Sequence, residues 1–247
     1  FTELRARAGI STTLNSINYF AQISLGVRPT QINEAYRLQK KQNVTDLDSE
    51  TLTMFEFGSK FELKSFMGSL SFYQSKKKNS IFRDSQNFIV DNGKTDHKGV
   101  ELSLSIFVNL RNTINANITY GDHRYDFETD TSMREKIRVD NKIDTAPKIM
   151  ANLLWNININ DDSNLSLEIE HMDSYYTDAA NLHEYEGHTL YHARFNREFS
   201  ESLKGYLRIE NLTDKRYAER ADFNAFGGDR YFPGLPREVY VGLEYNF

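Results

Sequence analysis

His183-Glu184-Tyr185-Glu186-Gly187-His188 places two imidazoles and two carboxylates in one short stretch, the ligand types of a zinc hydrolase. A zinc-binding helix needs its two His at i and i+4, so that both face the metal. Here they stand five apart with Gly187 between them, which reads as a solvated loop. No metal ligand set and no catalytic residue is assigned. A second group is acidic: Glu101, Glu168, Glu170, Glu210, Glu238 and Glu244. Two facing carboxylates are the apparatus of a glycosidase. These six, however, share strand parity with Arg5, Arg7, His192, Arg194 and Arg208, and that mixture suits a wall of cross-strand charge pairs. A third group, Arg83, His123, Arg124, Tyr125, Tyr175, Tyr176, His183, His188, Arg216 and Arg220, sits in or near long polar connectors. Arginine pairs with oxyanions, while Tyr and His offer a hydrogen bond and an aromatic face, so the group suits an anionic, aromatic ligand. Cys is absent, which removes disulfides, thiolate metal sites and Cys nucleophiles. A net charge of -5 argues against a nucleic-acid partner.

The elements that must hold these groups alternate with period two. Val239, Val241, Leu243, Tyr245 and Phe247 fall on one face of a final strand, with Glu238, Tyr240, Gly242, Glu244 and Asn246 on the other. The same pattern recurs upstream. Its clearest instance is Val100, Leu102, Leu104, Ile106 and Val108 against Glu101, Ser103 and Ser105. Comparable segments begin near Leu4, Ile17, Phe55, Phe66, Ile114, Ile149, Leu165, Tyr191 and Leu203, giving about eleven strands. Helix periodicity fits none of them. No run of eighteen or more apolar residues exists, so a membrane helix is excluded, whereas a membrane barrel is not. The mean hydropathy of -0.62 averages over both faces and hides an apolar one.

Connector length separates a barrel from a soluble sandwich, which would also alternate. Short turns (Asn15-Ser16, Lys64-Ser65, 110–112, 161–163, 200–202) take turns with long polar loops near 28–50, 76–94, 127–141, 177–187 and 221–236. Short connections on one rim and long ones on the other are the arrangement of an outer-membrane barrel, not of a Greek-key sandwich. With about eleven strands the first and last run in the same direction, yet single-chain bacterial barrels close antiparallel with even strand numbers. The chain therefore reads as all-β, the C-terminal half of an antiparallel transmembrane barrel of roughly twenty-two strands, a size whose lumen is plugged. Tyr19, Phe66, Phe72, Tyr120, Tyr191 and Tyr245 suit aromatic girdles at the two membrane interfaces. Asn43-Val44-Thr45, Asn117-Ile118-Thr119 and Asn211-Leu212-Thr213 match the glycosylation pattern by chance.

Five motifs in order carry a resemblance. Ser24 to Arg37, with Arg28-Pro29, Asn33-Glu34 and Tyr36-Arg37, is similar to a "GFRAPxxNELYR" stretch. Asp48 to Gly58 is similar to "PExxxxYElG", and Asn92-Gly93 through Gly99-Val100-Glu101-Leu102 to "NaGxtxxxGvEl". Glu210-Asn211-Leu212-Thr213-Asp214-Lys215-Arg216-Tyr217 is similar to "eNLfDkrY". Tyr231-Phe232-Pro233-Gly234-Leu235-Pro236-Arg237 is similar to "yfpGxPR". Together they resemble the barrels of TonB-dependent outer-membrane receptors. The resemblance implies a bacterial outer-membrane protein, with no enzymatic activity, that takes up a ferric siderophore or similar bulky nutrient. The partners it implies are outer-membrane lipid, a plug domain, TonB acting through that plug, a siderophore-type ligand and the barrel-assembly machinery. Tyr240, Gly242, Tyr245 and Phe247 fit the family's assembly signal. Residues 1–247 would be the C-terminal part of the barrel domain, and because the chain starts at Phe1, plug and signal peptide are expected upstream. A passive porin and a soluble β-sandwich enzyme or lectin are the alternatives.

Overall fold

The computed structural model describes residues 5–32, 34, 47–86, 88–130 and 135–247. Its strands in chain order are β1 (Ala6–Leu14), β2 (Ile17–Arg28), β3 (Glu50–Leu63), β4 (Phe66–Arg83), β5 (Ile89–Asn109), β6 (Asn112–Tyr125), β7 (Thr129–Asp130), β8 (Lys136–Ile137), β9 (Ile149–Asn160), β10 (Ser163–Met172), β11 (Tyr175–Tyr176), β12 (Glu184–Tyr185), β13 (His188–Glu198), β14 (Leu203–Glu210), β15 (Ala218–Asn224), β16 (Gly228–Pro233) and β17 (Glu238–Tyr245). Eleven of these make one sheet in the order β1-β2-β3-β4-β5-β6-β9-β10-β13-β14-β17. The pairs β7/β8, β11/β12 and β15/β16 are separate two-stranded ribbons inserted at the long-loop rim. The motif residues Asn33, Tyr36 and Arg37 and the sequence match at Asn43 and Thr45 lie outside the described residues.

Register keeps the two faces separate across all eleven strands. Phe66 pairs with Ile106, Leu70 with Leu102, and Phe72 with Val100. Leu102 pairs with Ile118 and Ile106 with Ile114. The row continues through Ile114 and Trp155, then Trp155 and Leu167, then Leu167 and Ala193, then Ala193 and Ile209, and ends at Ile209 with Val239. A one-residue slip anywhere would move a whole apolar set to the other face, so this continuity fixes the pairing. The opposite face is laddered by polar side chains. Ser103 donates to Asn117 at 2.9 Å, Ser105 to Asn115 at 2.7 Å, Ser166 to Asn156 at 2.7 Å, and Asn152 to Glu168 at 2.6 Å.

Among the described residues no second layer covers the apolar face. Ile10 keeps 75% of its surface, Ile23 52%, Leu153 39%, Trp155 39% and Val241 74%. The buried apolar clusters lie elsewhere, among the loops: Tyr175, Tyr185, Ala218 and Ala221 form one, and Tyr125, Ile137 and Ala179 the other. A soluble protein does not leave an apolar sheet of this width facing water.

Turn chemistry explains the short rim. Asn15 and Ser16 take φ values of 49° and 66°, the left-handed pair of a two-residue hairpin that matches strand twist. On the other rim the strands outrun the sequence reading. Loss of the apolar beat predicts a loop over 76–94. Instead β4 continues to Arg83 and β5 starts at Ile89, with Lys76 opposite Asp96, Lys77 opposite Thr95 and bulges around Ser80. Backbone pairing needs no apolar partner once a strand has left the apolar zone. The loop expected at 177–187 holds β12, and that at 221–236 holds β16 and part of β15.

The "eNLfDkrY" and "yfpGxPR" motifs prove to be one structural unit. Asn211 is 2% exposed with φ of 49°, a conformation Asn tolerates, and its amide donates to the Lys215 and Leu235 carbonyls. The Asp214 carboxylate accepts the Arg237 N–H at 3.0 Å. A side chain at Gly234 would enter the Tyr217 ring, since a Cβ there would lie 2.0 Å from it. These contacts aim β17 onto β14.

Candidate ligand-recognition cap

Buried carboxylates brace the long loops, one of them across three connectors. Glu135 accepts the Ser85 N–H at 2.7 Å and the Ala179 N–H at 3.1 Å, so one side chain joins three connectors. Asp178 accepts the Leu182 and His183 N–H groups, and Asp84 those of Gln86 and Phe88. Loop-to-loop backbone bonds add to this: Thr145 N–H to Tyr176, Phe223 N–H to Thr177 and Ala225 N–H to Ser85. Two phenols pair with β15 as if they were strand backbone. The Tyr175 oxygen lies 2.7 Å from the Ala221 N–H and 3.3 Å from its carbonyl. The Tyr185 oxygen lies 3.0 Å and 3.2 Å from the same groups of Ala218.

Burial sets the electrostatics of this layer, which stands beyond the apolar band. It pushes the Asp178 carboxyl up against the two N–H donors that favour its charge. Burial likewise raises Asp144, outweighing the hydroxyl that Tyr125 donates at 2.7 Å, and it raises the Tyr125 phenol too. Glu50, at the loop end of β3, behaves oppositely. Burial opposes its charge, but Arg28, the Ile81 N–H and Lys77 override that and hold it at about 2.

The residues proposed from sequence for a ligand distribute unevenly. Arg83 and Arg220 line one cavity of about 210 Å³, together with Arg230, Asp222 and Phe223. Arg230 and Arg220 both reach Asp222, at 2.6 and 3.1 Å. His183 stacks on Phe223 with ring centroids 3.7 Å apart and approaches Asp229 at 3.3 Å. His123 and Tyr176 line a smaller recess with Lys142 and Lys148. Tyr125 and Tyr175 are buried, their hydroxyls engaged as described. Arg124 pairs with Asp122 on the apolar-parity face, in register with Asp96. Arg216 is exposed beyond β14. His188 is on the polar face of β13, 2.9 Å from the Tyr185 oxygen; it and His183 make separate contacts. Sequence reasoning missed Asp222, Phe223 and Arg230, whose proximity depends on the β15/β16 ribbon folding back. It also missed His97, whose Nδ1 lies 3.0 Å from that of His123. Their shared polar parity on neighbouring strands was the available signal, and only the register makes it a contact.

The polar wall below carries the second set. Arg7 donates to Gln22 at 2.8 Å, and Gln22 in turn contacts Glu56. Glu210 receives Arg208 at 2.9 Å and also contacts His192, while Glu170 is 3.9 Å from His192. Arg208 lies over the Tyr240 ring at 4.5 Å, and Tyr240 bonds Glu238. Arg194 stands opposite Ser166 and Arg208, and Glu244 opposite Lys204. Glu101 pairs with Ser71 and Thr119, and Arg5 is exposed just before β1. The Tyr206 ring of β14 fills the space above Gly242 of β17, and Tyr245 meets Phe247 edge-on. This wall offers hydrogen bonds and charges of both signs.

A family model described as "TonB dependent receptor-like, beta-barrel" matches residues 5–212. This chain belongs to that family. In outer-membrane barrels the apolar face meets the membrane and the polar face looks into the lumen. No curated protein sequence matches the chain. Among solved structures, the Ferric-Catecholate import receptor Fiu of K12 E. coli superposes with a TM-score of 0.76 at 18% identity, over 98% of this chain and 35% of that one. The siderophore receptor PiuA from Acinetobacter baumannii gives 0.79 at 17%, over 98% and 35%. The ferric yersiniabactin uptake receptor FyuA from Yersinia pestis gives 0.78 at 15%, over 98% and 37%. At these identities the likeness concerns the fold. The chain spans little more than a third of each of those receptors.

Proposed function

We propose that this chain forms the C-terminal wall of an outer-membrane active-transport receptor for an iron complex, a ferric siderophore or a chelate of similar size. TonB would energise it by pulling on a plug domain seated against the polar wall. Three features support the reading: membership of the TonB-dependent receptor barrels, an apolar face that no described residue covers with a second layer, and a loop cap knitted over one rim. The single observation that carries it is the bare apolar face, which needs a hydrocarbon solvent. In this reading the bacterial outer membrane surrounds the sheet. Arg5, Arg7, Glu101, Glu168, Glu170, His192, Arg194, Arg208, Glu210, Glu238 and Glu244 grip the plug, and Tyr240, Gly242, Tyr245 and Phe247 present the edge read by the barrel-assembly machinery. Arg83, Arg220 and His183 are the best placed to meet an anionic chelate, with Tyr176 and His123 behind them and Arg216 at the margin.

The test is growth and radiolabelled-iron uptake by a strain lacking the intact protein, under iron limitation, on a panel of ferric chelates. At least one chelate should depend on both the protein and TonB. Uptake that survives loss of TonB would point to a passive pore and overturn the proposal.

A further inference from the structure

The lumen wall holds a group that the transport reading does not use. We propose that Met150, Met172 and His188 form a soft-metal site that takes Cu(I). Met172 stands opposite Met150 on one side and opposite His188 on the other, so the three lie in one row across β9, β10 and β13 on the polar face. Directly opposed residues on neighbouring strands have Cβ atoms about 4.5–5.5 Å apart. Met150 and His188 stand two strand spacings apart, about 9–10 Å, so their common point lies over Met172, and the three rotatable bonds of each methionine let the thioethers reach it. All three side chains line the same cavity, of about 280 Å³.

The Tyr185 phenol engages Nδ1 of His188, and the place of the phenol proton sets the state of Nε2. The Tyr185 oxygen receives the Ala218 N–H at 3.0 Å and lies 3.2 Å from the Ala218 carbonyl and 2.9 Å from His188 Nδ1. A phenol has one proton. When it goes to the carbonyl, which has no proton of its own, His188 must donate from Nδ1 to the phenol oxygen. The Nε2 lone pair is then available. A ring N–H held by an oxygen acceptor is the usual support of a metal-ligating histidine. Two thioethers with one imidazole select a soft monovalent ion, whereas Mg(II) and Ca(II) require oxygen donors. Glu170, which the transport reading sets against the plug, lines the same cavity. The site is independent of the proposed cargo, since an iron-chelate receptor can carry it or lack it.

The experiment uses the intact protein in detergent, titrated with Cu(I) under ascorbate in competition with a chromophoric Cu(I) chelator. Met150→Leu/Met172→Leu keeps side-chain volume and should bind one Cu(I) fewer than wild type, with unchanged heat-modifiable gel migration. His188→Gln should weaken that equivalent at least tenfold, and excess Zn(II) should not displace it. X-ray absorption of the wild type at one equivalent should show two sulfur neighbours and one nitrogen. That measurement decides the matter even if a variant misfolds. Equal stoichiometry in wild type and the folded double variant, or a copper shell without the sulfur pair, overturns the proposal.

Discussion

Leu104→Arg probes the membrane face most sharply. Leu104 lies on β5 opposite Gly68 and Ala116, both on the apolar face, and five residues from Asn109 at the short-turn end. Five steps of about 3.4 Å along a strand tilted about 45° place it about 12 Å above that rim. The apolar band of such a barrel is about 25 Å tall, so the site is near mid-membrane. An arginine there should destabilise the intact protein by roughly 2–4 kcal/mol. The control is its neighbour. Ser103 points to the other face and donates to Asn117, and Ser103→Arg should stay within about 1 kcal/mol, the value of one lost hydrogen bond. Both numbers come from reversible urea unfolding in lipid vesicles. Equal costs at the two positions, or a near-zero cost at Leu104, would refute the assignment of faces.

Other expectations concern the loops and the edges. Tyr175→Phe removes the oxygen that serves the Ala221 backbone, and should cost roughly 1–3 kcal/mol and speed amide exchange at 218–224. Gly187→Ala should cost roughly 1–3 kcal/mol from its φ of 75° alone, and its Cβ would also lie 2.3 Å from the Met172 carbonyl; thermal denaturation reads the effect. Burial raises Asp144, so the folded state holds its proton more tightly than the unfolded chain. Its contribution therefore falls as pH rises from the ordinary value of 3.8 through the raised one. Asp144→Asn keeps an acceptor for Tyr125 and sheds the charge, so amide exchange at pH 7 should show a tighter loop cap than in wild type, with the pH dependence reduced. The isolated 247 residues leave β1 and β17 each paired on one side only, and should not give a stable, heat-modifiable monomer in detergent.

The strands of the sheet were legible because a half-wet surface writes itself as period two. Val100 to Val108 announced both the element and its face. The same logic failed above the apolar zone. Lys76 to Arg83 carry no alternation, although their backbone still pairs with β5. Polar-face parity was readable for Glu168, His192 and Arg194, since it follows from counting along a strand. The cap was not readable, because its contacts join residues far apart in sequence: Glu135 to Ser85, Tyr185 to Ala218 and His183 to Phe223. Loop membership gathered Tyr125, Arg124 and Arg83 into one group, yet the structure buries the first, turns the second outward and sets the third on a cavity.

The face assignment is tested most directly by spin labels in the intact protein in bilayers. The chain has no Cys, so single cysteines can be placed from Val100 to Val108 without interference from its own residues. Labels at 100, 102, 104 and 106 should be relaxed strongly by oxygen dissolved in lipid, and labels at 101, 103 and 105 by a water-soluble relaxant. The absence of a two-residue beat, or a beat of opposite phase, would contradict a sheet whose apolar side meets hydrocarbon.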